Sequence, residues 1–114
     1  MHEAHVSAAL VAAVDGERVL VVLDSAEQVR PLMNEMAGMF DGTSQEMVRQ
    51  INRTNGGEKI GLVSGGFVRF ALPTRIRRDD CFDQVFVPIG TNPEFLDELA
   101  PALATSRVGL ITGY

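Results

Sequence analysis

The apolar residues of this chain follow two patterns, helical spacing and short continuous runs, which together are typical of an α/β domain. The segment from His2 to Val14 is rich in alanine, has apolar residues at helical spacing, and predicts a helix that Asp15-Gly16 ends. The run from Arg18 to Leu23 is apolar after its first residue. That run favours a strand covered on both faces, as in a parallel sheet.

A second helix is predicted to begin near Ser25, which with Gln28 fits a capping box. Pro31 lies inside the pattern and predicts a kink or a later helical start. The apolar face of this helix consists of Val29, Leu32, Met33, Met36, Met39 and Phe40. Its three methionines can instead line a protein-binding groove, but their spacing favours core packing.

The middle of the chain predicts a shorter helix followed by a β-hairpin. Thr43 or Ser44 can cap this helix, and Asn55-Gly56-Gly57 can end it. Its apolar residues are Met47, Val48 and Ile51. Residues 59–63 and 67–72 then form two apolar runs around a Ser-Gly-Gly turn, which is the pattern of an antiparallel hairpin.

The last part of the chain predicts a strand over residues 84–89, a helix opened by Asn92-Pro93, and a short strand from Val108 to Thr112. We therefore predict an α/β fold. It is a three-layer sandwich with a mostly parallel sheet, built from strands near residues 19–23, 84–88 and 108–112 and extended by the β-hairpin of residues 59–72.

The length and composition predict a single α/β domain over residues 1–114. No apolar run approaches the roughly 20 residues that a spanning helix needs, and the N-terminus lacks the pattern of a secretion signal. We therefore expect a cytoplasmic protein without membrane contact. Cys81 is the one cysteine and is interpreted as a partly buried packing residue, in preference to a nucleophile activated by Arg77 and Arg78.

Charge is strongly segregated along the chain, although the net charge is only -5. Residues 1–48 carry eight acids and two bases, and residues 79–114 carry six acids and one base. The segment between them has one acid, Glu58, and seven bases: Arg49, Arg53, Lys59, Arg69, Arg75, Arg77 and Arg78. These seven are the candidate contacts for nucleic acid or phosphate. In the alternative interpretation, they are an exposed segment neutralised by the acids that follow, Asp79, Asp80 and Asp83.

Neither a metal site nor a catalytic residue is predicted. His2 and His5 are spaced to share one face of the first helix, with Glu3 between them, but no third ligand has supporting spacing. Solvated terminal histidines are the favoured interpretation. Asp79 and Asp80 are interpreted as loop charges, because a catalytic pair needs environments that separate the two pKa values.

Laid end to end, four segments resemble the ATPase half of phage large terminases and related helicases. They are RVLVVLDSAEQVRPLMNEM, INRTNGGEKIGLVSGGFVRFA, RIRRDDCFDQVFVPIG and RVGLITGY. The resemblance covers nearly the whole chain, beginning in the helix that follows the phosphate loop. It implies a P-loop-NTPase-like fold without the first strand, that is, a truncated core lacking the phosphate loop.

The sequence departs from that family at both groups that act on ATP. It contains no G-x-x-x-x-G-K-[ST] segment, so nothing is predicted to cradle a triphosphate. Pro88 and Ile89 stand where the family has the acidic pair that holds Mg²⁺ and positions the attacking water. We therefore expect no enzyme activity and no cofactor.

Three functional hypotheses follow. The first is a non-catalytic interaction protein of phage or prophage origin, with an unknown protein partner, from the host or a second copy of the chain. The second is a nucleic-acid-binding accessory factor that uses the basic segment. The third is an enzyme whose active site another chain completes.

The resemblance also makes a prediction about strand pairing. Without a first strand, residues Val85 to Val87 are expected to pair directly with Val108 to Ile111. Self-association through exposed strand edges is the alternative.

Overall fold

The computed structural model describes residues 1–54, 56–76 and 81–114, which form a sheet with helices on both faces. The helices are α1 (Glu3–Val14), α2 (Ala26–Gly38) and α3 (Pro93–Leu103). The strands are β1 (Arg18–Val22), β2 (Val48–Asn52), β3 (Lys59–Leu62), β4 (Phe67–Ala71), β5 (Gln84–Val87) and β6 (Leu110–Gly113). Short 3-10 helices span Gly42–Met47 and Pro73–Arg75. No helix of the described residues has the length and apolar character needed to cross a membrane.

The strands lie in the order β2-β3-β4-β1-β5-β6. Strands β4, β1, β5 and β6 are parallel to one another, whereas β2, β3 and β4 are joined antiparallel. The prediction of a mostly parallel sheet is therefore only partly right. Two short connections link β2, β3 and β4, and a short connection can join only antiparallel neighbours.

Two apolar layers flank the sheet and explain the continuous apolar run of β1. Val19 and Val21 face a core shared with α1 and α2, whereas Leu20 and Val22 face a second core shared with α3. All four side chains are buried. The predicted three-layer arrangement is thus present, with two helices on one face and one on the other.

The short helix predicted around Met47, Val48 and Ile51 is wrong. Only Gly42–Met47 is helical, as a 3-10 helix whose start is closed by reciprocal bonds between Asp41 and Ser44. Residues 48–52 form strand β2, in which Ile51 pairs with Ile60 of β3. The side chain of Ile51 is half-buried and lies on the same face of the sheet as Ile60, a member of the core shared with α1 and α2.

The second helix spans the predicted segment, but its cap differs. Ser25 occupies the N-cap position, yet its side chain makes no capping hydrogen bond, so the predicted capping box is absent. Pro31 is accommodated inside the helix. Met33 and Met36 are fully buried, as expected of core residues, whereas Met39 is exposed.

Strands β5 and β6 pair directly, which confirms the pairing predicted from the sequence. Val85 lies opposite Ile111, and Phe86 lies opposite Thr112. The last strand begins at Leu110, two residues later than predicted. Gly109 precedes it with a φ of 56°, a left-handed conformation outside the strand region.

Candidate functional site

The carboxyl ends of the parallel strands form the edge at which open α/β sheets bind ligands. At this edge β5 is followed by Pro88 and Ile89, and the side chain of Ile89 is 81% exposed. Strand β1 is followed by Leu23 and Asp24. Among the described residues, no group of three or more His, Cys, Asp or Glu side chains is placed to hold a metal ion.

Tyr114 closes this edge, a role that the sequence analysis did not identify. Its hydroxyl donates to the carbonyl of Val22, and its amide donates to the carbonyl of Val87 at 2.8 Å. Burial, with a smaller contribution from the Asp24 carboxylate, raises the pKa of Tyr114 to about 12. The phenol is therefore neutral at physiological pH. Its hydroxyl connects the residue after β6 to β1, and the Tyr114 amide connects it to β5.

A cavity of about 390 Å³ lies at the same edge, between Tyr114 and the first turns of α2. Its lining includes three carboxylates, those of Asp24, Glu27 and Glu35. Like charges at short range repel, so this cavity disfavours a phosphate chain.

The five candidate bases that lie in the described residues do not form one patch. Arg49 is exposed on β2, at an irregularity of the register between Val48 and Gln50. Arg53 lies on the α2 side of the sheet, where its Nε is 3.4 Å from Oδ1 of Asn34. Its carbonyl accepts a 2.7 Å hydrogen bond from Arg30. These two bases are therefore placed in different surroundings.

Lys59 and Arg69 come together on the opposite face of the sheet. They are direct partners in the β3–β4 register, and Arg69 also lies opposite Leu20, which faces the α3 core. The Nζ of Lys59 is 4.6 Å from the ring centroid of Phe67, a cation–π distance. Both basic side chains are half-buried.

Arg75 lies beyond the end of β4, near the start of α2. Its carbonyl accepts a 3.3 Å hydrogen bond from Arg69. Its side chain lines a cavity of about 250 Å³ that also contacts Arg30 and Glu58. Glu58 is buried and accepts a hydrogen bond from the Gly56 amide at 3.1 Å. The remaining candidates, Arg77 and Arg78, lie outside the described residues, as do Asp79 and Asp80.

Within the described part of the chain, Asp83 forms an ion pair with Arg18. The Asp83 carboxylate accepts from the Arg18 amide at 2.7 Å and from the guanidinium at 3.2 and 3.1 Å. These hydrogen bonds hold the pKa of Asp83 well below its usual value, at about 2, and raise the pKa of Arg18. The pair joins the amino ends of β1 and β5, on the side of the sheet opposite the carboxyl edge.

The two histidines have structural surroundings. His2 caps α1, because its Nδ1 accepts a 3.0 Å hydrogen bond from the Ala4 amide. The ring of His5 packs edge to face against Phe86, with 6.3 Å between centroids. Cys81 is half-buried.

Exposed apolar side chains lie along β6 and next to it, and we call this surface the β6 edge. Its members are Val108, Leu110, Ile111 and, beside the end of the strand, Ile89. The apolar run of residues 108–112 predicts a strand but does not indicate which of its side chains are exposed.

No protein-family model and no curated protein matches this chain. Among solved structures, the chain is similar to part of the large terminase of bacteriophage HK97, known from its crystal structure. The TM-score is 0.61 and the sequence identity 17%, and the matched region covers 91% of this chain and 24% of the terminase. The chain therefore spans about a quarter of that terminase's length. This likeness shows the fold, and the chain thus has a terminase-like α/β fold.

Proposed function

We propose that this chain is a non-catalytic interaction protein of phage or prophage origin, built on a terminase-like ATPase fold. The observation that carries the proposal is the carboxyl end of β5, where Pro88 and the 81% exposed Ile89 follow the strand. Alkyl side chains neither ligate Mg²⁺ nor orient a water molecule.

Other residues at the carboxyl edge support the same conclusion. The cavity at the carboxyl edge is lined by Asp24, Glu27 and Glu35, which repel a nucleotide phosphate chain. Tyr114, with its raised pKa, supplies neither a general base nor a cation at neutral pH. An exposed apolar side chain in this position is instead suited to protein contact.

The proposal is tested with ATP and Mg²⁺. We expect neither release of inorganic phosphate nor a change in melting temperature at millimolar nucleotide, because a ligand raises the melting temperature only if it binds the folded state. The Asp24→Asn variant is the control, since it should remove hydrolysis that depends on this carboxylate at the carboxyl edge and leave hydrolysis by a contaminant unchanged. Hydrolysis that this substitution removes would contradict the proposal.

A second candidate function, nucleic-acid binding, is favoured by one arrangement. Lys59 and Arg69 lie side by side on one face of the sheet, next to the aromatic ring of Phe67. Paired cations beside an aromatic ring suit the phosphates and bases of a single strand. The opposing factor is the net charge of -5, which repels a polyanion at long range.

This second function is tested by retention of single-stranded DNA over a range of salt concentrations. Lys59→Gln and Arg69→Gln should each weaken retention and make it less sensitive to salt, since each removes a phosphate contact. Arg107→Gln removes the same charge from an exposed loop before β6 and should leave retention unchanged. Equal retention by all three variants would exclude a contact at this face.

A further inference from the structure

We propose that the partner is a second copy of this chain, bound antiparallel along β6 so that the two sheets become continuous. This inference rests on the proposed interaction function and identifies the partner that the β6 edge takes.

The backbone of β6 has hydrogen-bonding groups directed away from the sheet. Leu110 donates to the Asp83 carbonyl at 3.1 Å, and Tyr114 donates to the Val87 carbonyl at 2.8 Å. Successive residues of a strand direct their N–H and C=O groups to opposite sides. Ile111 and Gly113 therefore direct theirs outward, and within residues 1–54, 56–76 and 81–114 no strand pairs with them.

The two edges of the sheet differ in how they are protected. Strand β2 carries Arg49 and an irregular register between Val48 and Gln50, both of which discourage the addition of a strand. Strand β6 contains no charged residue, and all its neighbouring pairs with β5 are in regular register. Its side chains Leu110 and Ile111 are 50% and 38% exposed. Only the β6 edge is therefore suited to pairing.

The residues of β6 fit a two-fold axis that passes beside Thr112. In this register Ile111 lies opposite the partner's Gly113, and Gly113 lies opposite the partner's Ile111. The N–H and C=O groups of Ile111 then bond to those of the partner's Gly113, and those of Gly113 bond to those of the partner's Ile111. An axis beside Ile111 would instead place Gly109 opposite the partner's Gly113, and the φ of 56° at Gly109 takes that residue out of the strand.

The side chains complete this register. A Cβ built on Gly113 would lie 3.3 Å from Cγ1 of Ile89, so the Ile89 side chain already occupies the space above Gly113. Ile111 of the partner subunit, on the same face of the sheet, therefore packs against Ile89. The most exposed apolar side chain of the carboxyl edge is thereby covered. The contact is apolar on both sides and brings no like charges together.

The protected β2 edge also limits the assembly to two copies. A head-to-tail contact would need β6 of one copy to pair with β2 of the next, which the irregular register of β2 opposes. A two-fold contact uses the β6 edge of both copies, and the edges that remain are the two protected β2 strands.

Mass in solution, measured by light scattering from micromolar to millimolar concentration, tests the proposal. We expect the mass to rise to twice 12.4 kDa with increasing concentration. Ile111→Lys should give a monomer, because it places a charge on each side of the contact. Val63→Lys makes the same change at an exposed position outside β6 and should leave the dimer intact.

Amide hydrogen exchange on the unmodified chain gives an independent measurement, which also applies if Ile111→Lys does not fold. The amides of Ile111 and Gly113 should be protected at high concentration and exchange rapidly on dilution. The Leu110 amide, bonded within the chain, should be protected at both concentrations.

A mass of 12.4 kDa throughout the concentration range would overturn the proposal, as would a dimer that survives Ile111→Lys. Rapid exchange at Ile111 and Gly113 in a dimer would place the contact elsewhere and overturn it as well. These results are separate from the ATP test, since a monomer without ATPase activity contradicts only the pairing of β6. Hydrolysis by a dimer contradicts only the non-catalytic function.

Discussion

Among the glycines, Gly66 leaves the least room for an added Cβ. A Cβ built on Gly66 would lie 2.0 Å from the Ala13 carbonyl oxygen and 2.9 Å from that of Glu17. The end of α1 is held at this point by Ser64, whose hydroxyl donates to the Ala13 carbonyl at 2.9 Å. The Ser-Gly-Gly turn thus has a packing role in addition to its role in the hairpin.

Gly66→Ala is expected to destabilise the protein by about 3 kcal/mol, the upper end of the usual overpacking range, because the obstructing atoms belong to the backbone. Gly38→Ala is the matched control. Nothing lies within 4 Å of a Cβ at Gly38, in the last turn of α2, so the change should stabilise by up to about 1 kcal/mol. Urea denaturation of both variants makes the comparison, and similar midpoints would contradict it.

The Arg18–Asp83 pair predicts how stability depends on pH. The folded state lowers the pKa of Asp83 to about 2, below its usual 3.8, so the folded state binds this proton less readily than the unfolded state does. The stabilisation is therefore complete above pH 4 and is lost as the pH falls through about 2. Asp83→Asn should cost about 1 to 2 kcal/mol at neutral pH, a value reduced for the partial exposure of Arg18.

The measurement is the free energy of unfolding of Asp83→Asn and the unmodified protein between pH 2 and pH 7. The difference between them should shrink as the solution becomes more acidic. Asp97→Asn, at an exposed position on α3, should change stability by less than about 0.5 kcal/mol. A difference for Asp83→Asn that is constant with pH would show that its cost is steric.

This pair also shows what the sequence could not predict at the residue scale. Asp83 follows a basic loop, so its neighbours in the chain suggested an arginine of that loop as its partner. The observed partner, Arg18, is 65 residues away. The contact exists because β1 and β5 are adjacent in the sheet, and residue types alone carry no information on that adjacency.

At the scale of elements, two helix starts with similar sequences differ in their caps. The Oδ1 of Asn92 accepts a 2.9 Å hydrogen bond from the Glu94 amide, and Pro93 occupies the first position of α3. Ser25, at the start of α2, makes no such side-chain bond. Asn92→Ala should therefore destabilise by about 1 kcal/mol, whereas Ser25→Ala should be close to neutral. Thermal unfolding of the two variants tests this, and a larger effect at Ser25 would contradict it.

The elements that the sequence predicted well are those with one unambiguous local signal. Helix α1 and strand β1 follow from the spacing or continuity of their apolar residues, and α3 follows from Asn92-Pro93. Strand β2 did not follow, because Val48 and Ile51 are three residues apart, a spacing also typical of a helix. In β2, Arg49 is an extra residue between the paired positions Val48 and Gln50, and it produces the three-residue spacing of Val48 and Ile51. Residues 48–52 form a strand because they pair with β3, and the sequence pattern does not show this pairing.

At the scale of the whole molecule, the described bases of the basic segment lie on two faces of the sheet. The basic segment is continuous in the chain, but the sheet separates Arg53, on the α2 side, from Lys59 and Arg69 on the other side. The side chains of successive strand residues point to opposite faces of the sheet. The bases of a segment that forms three strands are therefore divided between the two faces. The pairing of β5 with β6, in contrast, was predicted from the resemblance, since without a first strand these two strands become neighbours.

The irregular register of β2 has a consequence for colloidal stability. A sheet with two regular, uncharged edges can add copies without limit and grow into fibrils, whereas this sheet has only one such edge. Concentrated solutions of the protein should therefore stay clear and give no thioflavin fluorescence. Deletion of Arg49 should remove the extra residue of β2, regularise its ladder and permit thioflavin-positive fibrils. Arg49→Gln removes the charge and keeps the extra residue, so its solutions should stay clear. Fibrils formed by that variant would show that the charge, and not the extra residue, protects the β2 edge.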